Sequence, residues 1–264
     1  MKKYIVIGNP INHSSSPQLH NYWLKKNNIN GEYNKEKMNI SDLQNLILRI
    51  KNFEINGANI TVPFKNEIIQ YLDKLSFEAE STQSVNTIYL KNNKIVGHNT
   101  DIEGFEIAVK STNYNVAGKT ILILGAGGVV PSIIFALNKM KASKIIIMNR
   151  TKNKAEKLKD LFKNLIIVDW DKIPRFDMVI NATSLGLNSN DEIDLDFSKA
   201  EIKKFFFDVI YNPKETNFLK KAKTMGNQTE NGRKMFIYQA AAAFNIWHGI
   251  YPKIDDGLDK LLDK

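Results

Sequence analysis

The chain contains no cysteine, which excludes a disulfide framework and a thiolate metal site and fits a reducing cytoplasm. Arginine is nearly as scarce, occurring only at Arg49, Arg150, Arg175 and Arg233. Long apolar runs are missing too. The N-terminal apolar stretch, Tyr4 to Ile7, is far too short for the core of a secretory signal, and no run approaches the roughly 18 residues of a membrane span. The histidines, His13, His20, His98 and His248, show no metal-ligand spacing. They are expected to serve local hydrogen bonds, and no metal is expected.

What is present describes a soluble globular protein. Of 264 residues, 43% are apolar and 25% charged, and at roughly 150 residues per domain the length predicts two domains or one large one. The net charge of +9 and a pI near 9.4 fall in the range of nucleic-acid binders. The positive charge is almost all lysine, however, and is scattered along the whole chain. A reader of nucleic acid clusters its charge and uses arginine forks on phosphates and bases. Abundant Lys, Asn and Ile follow equally from an AT-rich coding sequence, so neither a nucleic acid nor a membrane is expected as partner.

The chain opens with a strand, Tyr4 to Ile7, that breaks at Gly8-Asn9-Pro10. A helix follows with Ser16 as N-cap and Pro17 at its first position. A second helix is signalled by Ser41-Asp-Leu-Gln44, which has the spacing of a capping box, and by Leu43, Leu46, Ile47 and Ile50 at i, i+3, i+4 and i+7. Gly57 to Val62 reads as a strand closed by Pro63. Val85 to Leu90 and Lys94 to His98 read as a hairpin turned at Asn92-Asn93. From Gly118 the texture changes to strict alternation. Strands at 120–124, 144–148, 165–168, 178–181 and 205–209 are interleaved with helical periodicity at 129–141, 151–163 and 215–225. That predicts a parallel sheet covered by helices on both faces. The end of the chain, from Lys234 through Ala240–Ala243 to Trp247, returns to helix. Two α/β domains are predicted.

Ile121-Leu-Ile-Leu124 runs directly into Gly125-Ala126-Gly127-Gly128-Val129 and then a helix, which is the setting of a dinucleotide-binding turn. Glycines let the backbone approach a pyrophosphate, and the helix N-terminus holds its charge. The sixth position of the fingerprint is Val130 rather than Gly or Ala, and Pro131 follows it. The end of the next strand indicates which dinucleotide. NAD enzymes place a carboxylate there for the ribose 2′-hydroxyl. This chain has Asn149-Arg150-Thr151 followed by Lys154, a set that repels no 2′-phosphate and can pair with one. NADP (NADPH) is the expected cofactor.

Polar clusters stand where the other strands end: His13-Ser14-Ser-Ser16-Pro17, Asn59-Ile-Thr61-Val-Pro-Phe-Lys65, Ser84-Val-Asn86-Thr87 and His98-Asn-Thr-Asp101. Singly they read as N-caps, turn formers and surface lysines. Joined, Ser14, Ser16, Thr61, Lys65, Asn86 and Asp101 would suit a small polyhydroxylated acid. These motifs, together with Gly8-Asn-Pro-Ile, Asn99-Thr-Asp101-x-x-Gly104, Gly125-Ala-Gly-Gly, Asn149-Arg-Thr, Asn181-Ala-Thr-Ser184, Asp208-x-x-Tyr211-Asn-Pro and Gln239-Ala-x-x-x-Phe244, strongly resemble the shikimate dehydrogenases, in family order from residue 8 to 244.

The resemblance implies an NADP-dependent, cytoplasmic reductase of 3-dehydroshikimate, monomeric or homodimeric, in the route to aromatic amino acids. It implies a substrate domain of residues 1–101 plus 231–264 and an inserted Rossmann domain of residues 102–230. By resemblance, Lys65 and Asp101 match the catalytic pair. Ser14, Ser16 and Tyr211 match the groups on the substrate carboxylate, and Thr61, Asn86 and Gln239 those on its ring hydroxyls. The Asn181-Ala-Thr183-Ser184 segment, Ile210, Gly232 and Met235 fall where the family lines the nicotinamide side. The chain departs from the family at Val130-Pro131, at Lys154 where arginine is frequent, and at Arg233 and Phe236, which are often leucine. Quinate or an amino analogue as substrate, with relaxed cofactor choice, stays open on the same fold. So does a non-catalytic sensor of NADP or a metabolite.

Overall fold

The structure, a computed structural model, describes residues 1–188, 191–198 and 203–263. It divides into two compact units, one of Met1–Asp101 with Ile237–Lys264 and one of Ile102–Phe236. Among the described residues no helix is long and apolar enough to cross a membrane.

The first unit holds strands β1 (Lys2–Gly8), β2 (Gly31–Lys37), β3 (Gly57–Ile60), β4 (Lys74–Leu75), β5 (Thr87–Lys91) and β6 (Lys94–His98) in the order β2-β1-β3-β5-β6-β4. Strand β1 pairs parallel with β2 and β3, whereas β5 runs antiparallel to β3 and β6. The β5–β6 hairpin turns on Asn92 and Asn93, at φ 51° and 57°. That is the left-handed geometry a two-residue turn demands and asparagine tolerates. Helices α1 (Ser16–Lys26), α2 (Leu43–Lys51) and α3 (Phe77–Thr82) pack on this sheet. All four apolar residues of the α2 stripe, Leu43, Leu46, Ile47 and Ile50, are buried in one cluster with Ile5, Ile7, Ala58 and Ile60 of the strands.

Two helix starts differ from expectation. The N-cap of α1 is Ser15, so Ser16 and Pro17 fill the first helical positions, where a missing N–H costs nothing. The capping acid before α2 is Asp42, whose Oδ2 accepts from the Asn39 N–H at 2.7 Å. A 3-10 turn over Ile40–Asp42 intervenes, and α2 proper starts at Leu43.

The opposite face of this sheet is aromatic. Trp247 packs on Tyr4 with ring centroids 4.9 Å apart, and Phe244 on Trp23 at 5.8 Å. The Trp247 indole donates to the Ile88 carbonyl at 3.2 Å. It lies so close to Gly57 that a Cβ there would sit 2.3 Å from Nε1. The His20 ring stacks on Tyr33 at 4.2 Å and 2°, and its buried Nε2 has no hydrogen-bond partner among the described residues. Burial pushes its pKa down to about 3, which keeps the ring neutral.

The second unit contains β7 (Thr120–Leu124), β8 (Lys144–Met148), β9 (Ile166–Val168), β10 (Met178–Asn181), β11 (Phe205–Asp208) and β12 (Gln228–Glu230). Their order is β12-β11-β10-β7-β8-β9, parallel throughout. Numbered within the unit, this is 3-2-1-4-5-6 read from the β9 edge, the doubly wound order with its switch point between β7 and β10. Helices α4 (Asp101–Lys110), α5 (Val130–Lys139), α6 (Lys152–Glu156) and α7 (Asn217–Thr224) accompany it. Alternate residues of the strands enter different clusters. Ile121 and Ile123 pack with α5, and Leu122 and Leu124 with Phe206 and Phe218. That two-sided burial explains why these strands read as unbroken apolar runs. Helix α6 is shorter than its periodicity predicts and gives way to a 3-10 turn over Lys157–Asp160.

Helix α8 (Arg233–His248) begins in the second unit and ends in the first, and α9 (Asp256–Leu262) closes the chain. The compact units divide between Phe236 and Ile237, and Met235 is packed in the second unit's core.

Candidate active site

Register brings the polar segments of the first unit together. Ile7 lies beside Ile60, Asn59 beside Thr87, and Thr87 beside His98. The C-terminal ends of β1, β3 and β6 and the start of β5 therefore share one end of the sheet, and Ser14, Ser16, Thr61, Lys65, Asn86 and Asp101 lie on the segments that adjoin it.

Lys65 and Asp101 are paired there, with Nζ to Oδ2 at 2.5 Å and side chains 13% and 8% exposed. Asp101 opens α4, a position where the helix dipole favours an acid. Its Oδ1 accepts from Asn86 Nδ2 at 2.9 Å, and the same amide nitrogen reaches Thr100 Oγ1 at 2.9 Å and Gln239 Oε1 at 3.5 Å. Asn86 Oδ1 accepts from the Thr100 N–H at 2.8 Å. Lys65, Asp101, Asn86 and Gln239 thus form one connected set, with Thr100 as the scaffold residue that the motif reading left without a role.

Ser14 and Ser16 form a second set at the same end. Ser14 Oγ accepts from the Ser16 N–H at 3.3 Å. Thr61 is half-buried, and its N–H donates to the Ile7 carbonyl at 3.0 Å. Its methyl packs against Gly8, where a Cβ would come within 2.6 Å of it. Tyr33 of β2 braces the floor. Its hydroxyl donates to Asn59 Oδ1 at 2.6 Å, and Asn59 Nδ2 donates to the Asn86 carbonyl and Thr87 Oγ1, both at 3.0 Å. Burial raises the Tyr33 hydroxyl well above its ordinary pKa, so it remains a neutral donor. Tyr33 was not legible from the sequence, since it is the one fully buried residue of a polar strand.

In the second unit the glycine turn follows β7 at the switch point. Gly125 needs to be glycine for the fold itself: its φ is +107°, and a Cβ would press on the Ala182 carbonyl at 2.9 Å. Gly127 and Gly128 do not. A Cβ on Gly127 would meet ordinary contact at 3.9 Å, and one on Gly128 nothing within 4 Å. Their missing side chains let a ligand approach the backbone closely before α5, which fits a pyrophosphate. Ala126 and Val129 pack against the core on the inner side of the turn, and Val130 is wholly buried in it. A branched residue at the sixth fingerprint position is therefore used as core.

At the end of β8, Asn149 Nδ2 donates to the Thr151 carbonyl at 2.7 Å and holds the turn. Arg150 and Lys154 are exposed. Neither makes an ion pair among the described residues, whereas Lys152 is tied to Asp169 at 3.2 Å. Two uncommitted cations beside the glycine-bearing strand fit a 2′-phosphate. Among the described residues, no group of His, Asp and Glu is arranged to hold a metal ion.

Strands β10 and β11 end in Asn181 and Asp208, register partners that are both wholly buried. Thr183 Oγ1 donates to Asn181 Oδ1 at 2.7 Å. Gly232 donates its N–H to the Ile210 carbonyl at 3.0 Å. A Cβ at Gly232 would fall 2.0 Å from the Val209 carbonyl oxygen, so this glycine is required by its own loop. Met235 is core, and Tyr211 stacks on Phe236 with centroids 4.5 Å apart at 12°. Nothing in the structure explains an arginine at position 233.

Asp208 has a measurable pH signature. Burial pushes its carboxyl up from 3.8 to about 6, against neutral donors that hold it down. The folded protein therefore keeps a proton that the unfolded chain has released, and stability falls as pH rises from about 4 to about 6. Two pH units correspond to about 3 kcal/mol. Asp208→Asn should abolish this fall: urea midpoints of variant and wild type are expected to agree at pH 4 and to favour the variant at pH 7. A constant difference across that range would contradict the assignment.

Known families account for nearly all of this chain. Residues 6–88 match the shikimate dehydrogenase substrate binding domain, residues 106–218 shikimate/quinate 5-dehydrogenase, and residues 232–262 the shikimate 5′-dehydrogenase C-terminal domain. The shikimate dehydrogenase (NADP(+)) of Pelagibacter ubique is 55% identical over 262 residues, 99% of either chain. A solved shikimate dehydrogenase in complex with NADP+ superposes with a TM-score of 0.92 at 36% identity, covering 100% of this chain and 95% of that one. The Thermus thermophilus enzyme in complex with NADP(H) and shikimate gives 0.90 at 29% identity, covering 100% and 99%. Similarity of this extent, running through both units in order, makes the chain a member of the shikimate dehydrogenase family.

Proposed function

We propose that the protein is an NADP-dependent shikimate dehydrogenase that interconverts 3-dehydroshikimate and shikimate, with Lys65 and Asp101 as its acid–base pair. The observation that carries the reading is the Lys65–Asp101 pair, 2.5 Å apart and largely buried. It lies at the sheet end where serines, a threonine and amides gather. The cofactor, when bound, supplies or receives the hydride. Everything else falls to side chains of this chain. Lys65 holds a proton at Nζ, gives it to the ketone oxygen as negative charge builds there, and takes it back in the reverse direction. Asp101 keeps the ammonium in place and accepts from a substrate hydroxyl. Ser14 and Ser16 take the carboxylate, and Thr61, Asn86 and Gln239 the ring hydroxyls. Residues 1–101 with the C-terminal helices serve the substrate, and the inserted unit serves the nucleotide through Gly125–Val129, Asn149–Thr151 and Lys154. The protein is read as cytoplasmic, with small molecules as its partners.

The test is absorbance at 340 nm with purified protein, shikimate and NADP. Alkaline pH is used because oxidation releases a proton. Quinate and NAD run in parallel, since one matched description covers both shikimate and quinate. A site built to bond particular hydroxyls discriminates strongly against a misfit. We expect kcat/KM for shikimate with NADP to exceed every other combination by at least about tenfold. Equal efficiency with quinate would replace the substrate assignment, and equal efficiency with NAD the cofactor assignment.

A further inference from the structure

The Asp208-x-x-Tyr211-Asn-Pro motif contains an acid that the proposed chemistry leaves idle. Asp208 is wholly buried at the end of β11, and all its partners among the described residues are neutral donors. Oδ1 accepts from Asn181 Nδ2 at 3.0 Å and from the Ile210 N–H at 3.0 Å. Oδ2 accepts from Thr216 Oγ1 at 2.6 Å. Asn181 is itself a hub. It donates to the Leu185 carbonyl at 3.0 Å and accepts from the Thr183 N–H at 3.1 Å and the Thr183 hydroxyl at 2.7 Å. Thr183 Oγ1 then accepts from the Leu185 N–H at 3.0 Å. One carboxylate thus ties together the two loops that leave neighbouring strands, residues 182–186 and 209–216.

We propose that Asp208 is a positioning residue for the nicotinamide end of the cofactor, acting through Asn181 and Ile210 to set these two loops against each other. The inference rests on the NADP reading above, because Thr183 and Ile210 are the residues that reading assigns to the nicotinamide side. A buried anion served by three donors is a stiff clamp, since charge-assisted bonds are about twice as strong as neutral ones. Its withdrawal takes the acceptor from one Asn181 amide hydrogen and from the Ile210 N–H, and leaves the loops free to part. The adenine end is held elsewhere, by the residues that follow β8.

That separation gives the test. Dissociation constants for NADPH and for adenosine 2′,5′-bisphosphate, which lacks the nicotinamide half, are measured on wild type, Asp208→Ala and Asp208→Asn, with melting curves alongside. Asp208→Ala is expected to weaken NADPH about tenfold or more and to leave the bisphosphate within about twofold. Asp208→Asn keeps an oxygen for Asn181 and Ile210, and should recover most of the NADPH affinity. Asp208→Ala that binds both ligands like wild type, or that loses both equally, overturns the proposal and leaves Asp208 a role in folding alone. If Asp208→Ala does not fold, Thr216→Val removes one donor and keeps the carboxylate, and the same selective loss of NADPH is required of it. Wild-type protein that binds neither ligand overturns the cofactor reading itself, a separately visible failure.

Discussion

Lys65→Met is expected to lower kcat for shikimate oxidation by about a thousandfold, within the range for loss of a positioned acid–base group, while changing KM little. The reasoning is geometric. Lys65 Nζ stands 2.5 Å from Asp101 Oδ2, and the carboxylate is pinned from its other side by Asn86. The ammonium is thereby aimed rather than left to wander on a flexible stem. Methionine keeps the length and apolar bulk of that stem and deletes the proton donor. An interaction made mainly in the transition state shows its loss in kcat rather than in KM. Removing one partner of a largely buried pair also costs stability, by about 3–5 kcal/mol in the strongest cases, so melting curves must accompany the kinetics. Asp101→Asn should cost less, because the amide oxygen can still hold Lys65. A Lys65→Met protein that is folded and turns over within tenfold of wild type would remove Lys65 from the proposed chemistry.

The second large effect is expected in cofactor choice. Arg150 and Lys154 are exposed without an ion pair among the described residues, and each charge-assisted bond to a phosphate is worth about 1.5–3 kcal/mol. Arg150→Ala with Lys154→Ala should therefore lower kcat/KM for NADP by about two to three orders of magnitude and leave that for NAD nearly unchanged. Lys152→Ala is the control for loss of a neighbouring positive charge. That lysine is already committed to Asp169, so its loss should leave the NADP-to-NAD ratio where it was. A double variant with an unaltered ratio would show that the 2′-phosphate, if bound at all, is held elsewhere.

How much could be read from the sequence depended on where each element gets its stability. The central strands β7, β8, β10 and β11 are buried on both faces, so their apolar runs announce them, and glycines mark the turn between β7 and α5. The β5–β6 hairpin was legible because Asn92-Asn93 fits the left-handed turn. Strand β2 was not. It is an edge strand with the sequence Gly-Glu-Tyr-Asn-Lys-Glu-Lys, fully buried only at Tyr33, and it exists through backbone pairing with β1. Strand β4, two residues long, and helix α9 likewise owe their form to neighbours distant in the chain. Asp255 at the start of α9 accepts from Tyr22 at 2.6 Å.

The candidate site divides the same way. Lys65, Asp101, Asn86 and the serines were legible because short polar motifs adjoin strands, where side chains leave a sheet end. The supports beneath them were not. Tyr33 reaches Asn59 across the intervening strand β1, and Asp208 meets Asn181 across a register that no local pattern encodes. Capping was misplaced for a related reason. Ser41 and Gln44 have the right spacing, but Asn39 and Asp42 offer the same spacing two residues earlier, and the 3-10 turn selects them. Val130 looked like a defect in the glycine fingerprint and is instead a core residue.

The aromatic face of the first unit bears on how a ribosome delivers this protein. Tyr4 and Trp23 come off early in synthesis, yet the rings they pack on, Phe244 and Trp247, are added after the whole inserted unit. Gly57 meanwhile presents an open notch that only the late indole fills. The inserted unit is one uninterrupted stretch, Ile102–Phe236, and completes its own sheet before that indole exists. The nascent N-terminal segment must therefore wait half-finished, its apolar face uncovered, while its younger neighbour matures. A chain interrupted anywhere before α8 would strand that face permanently, which makes the last helices the step that commits the first unit to a lasting fold.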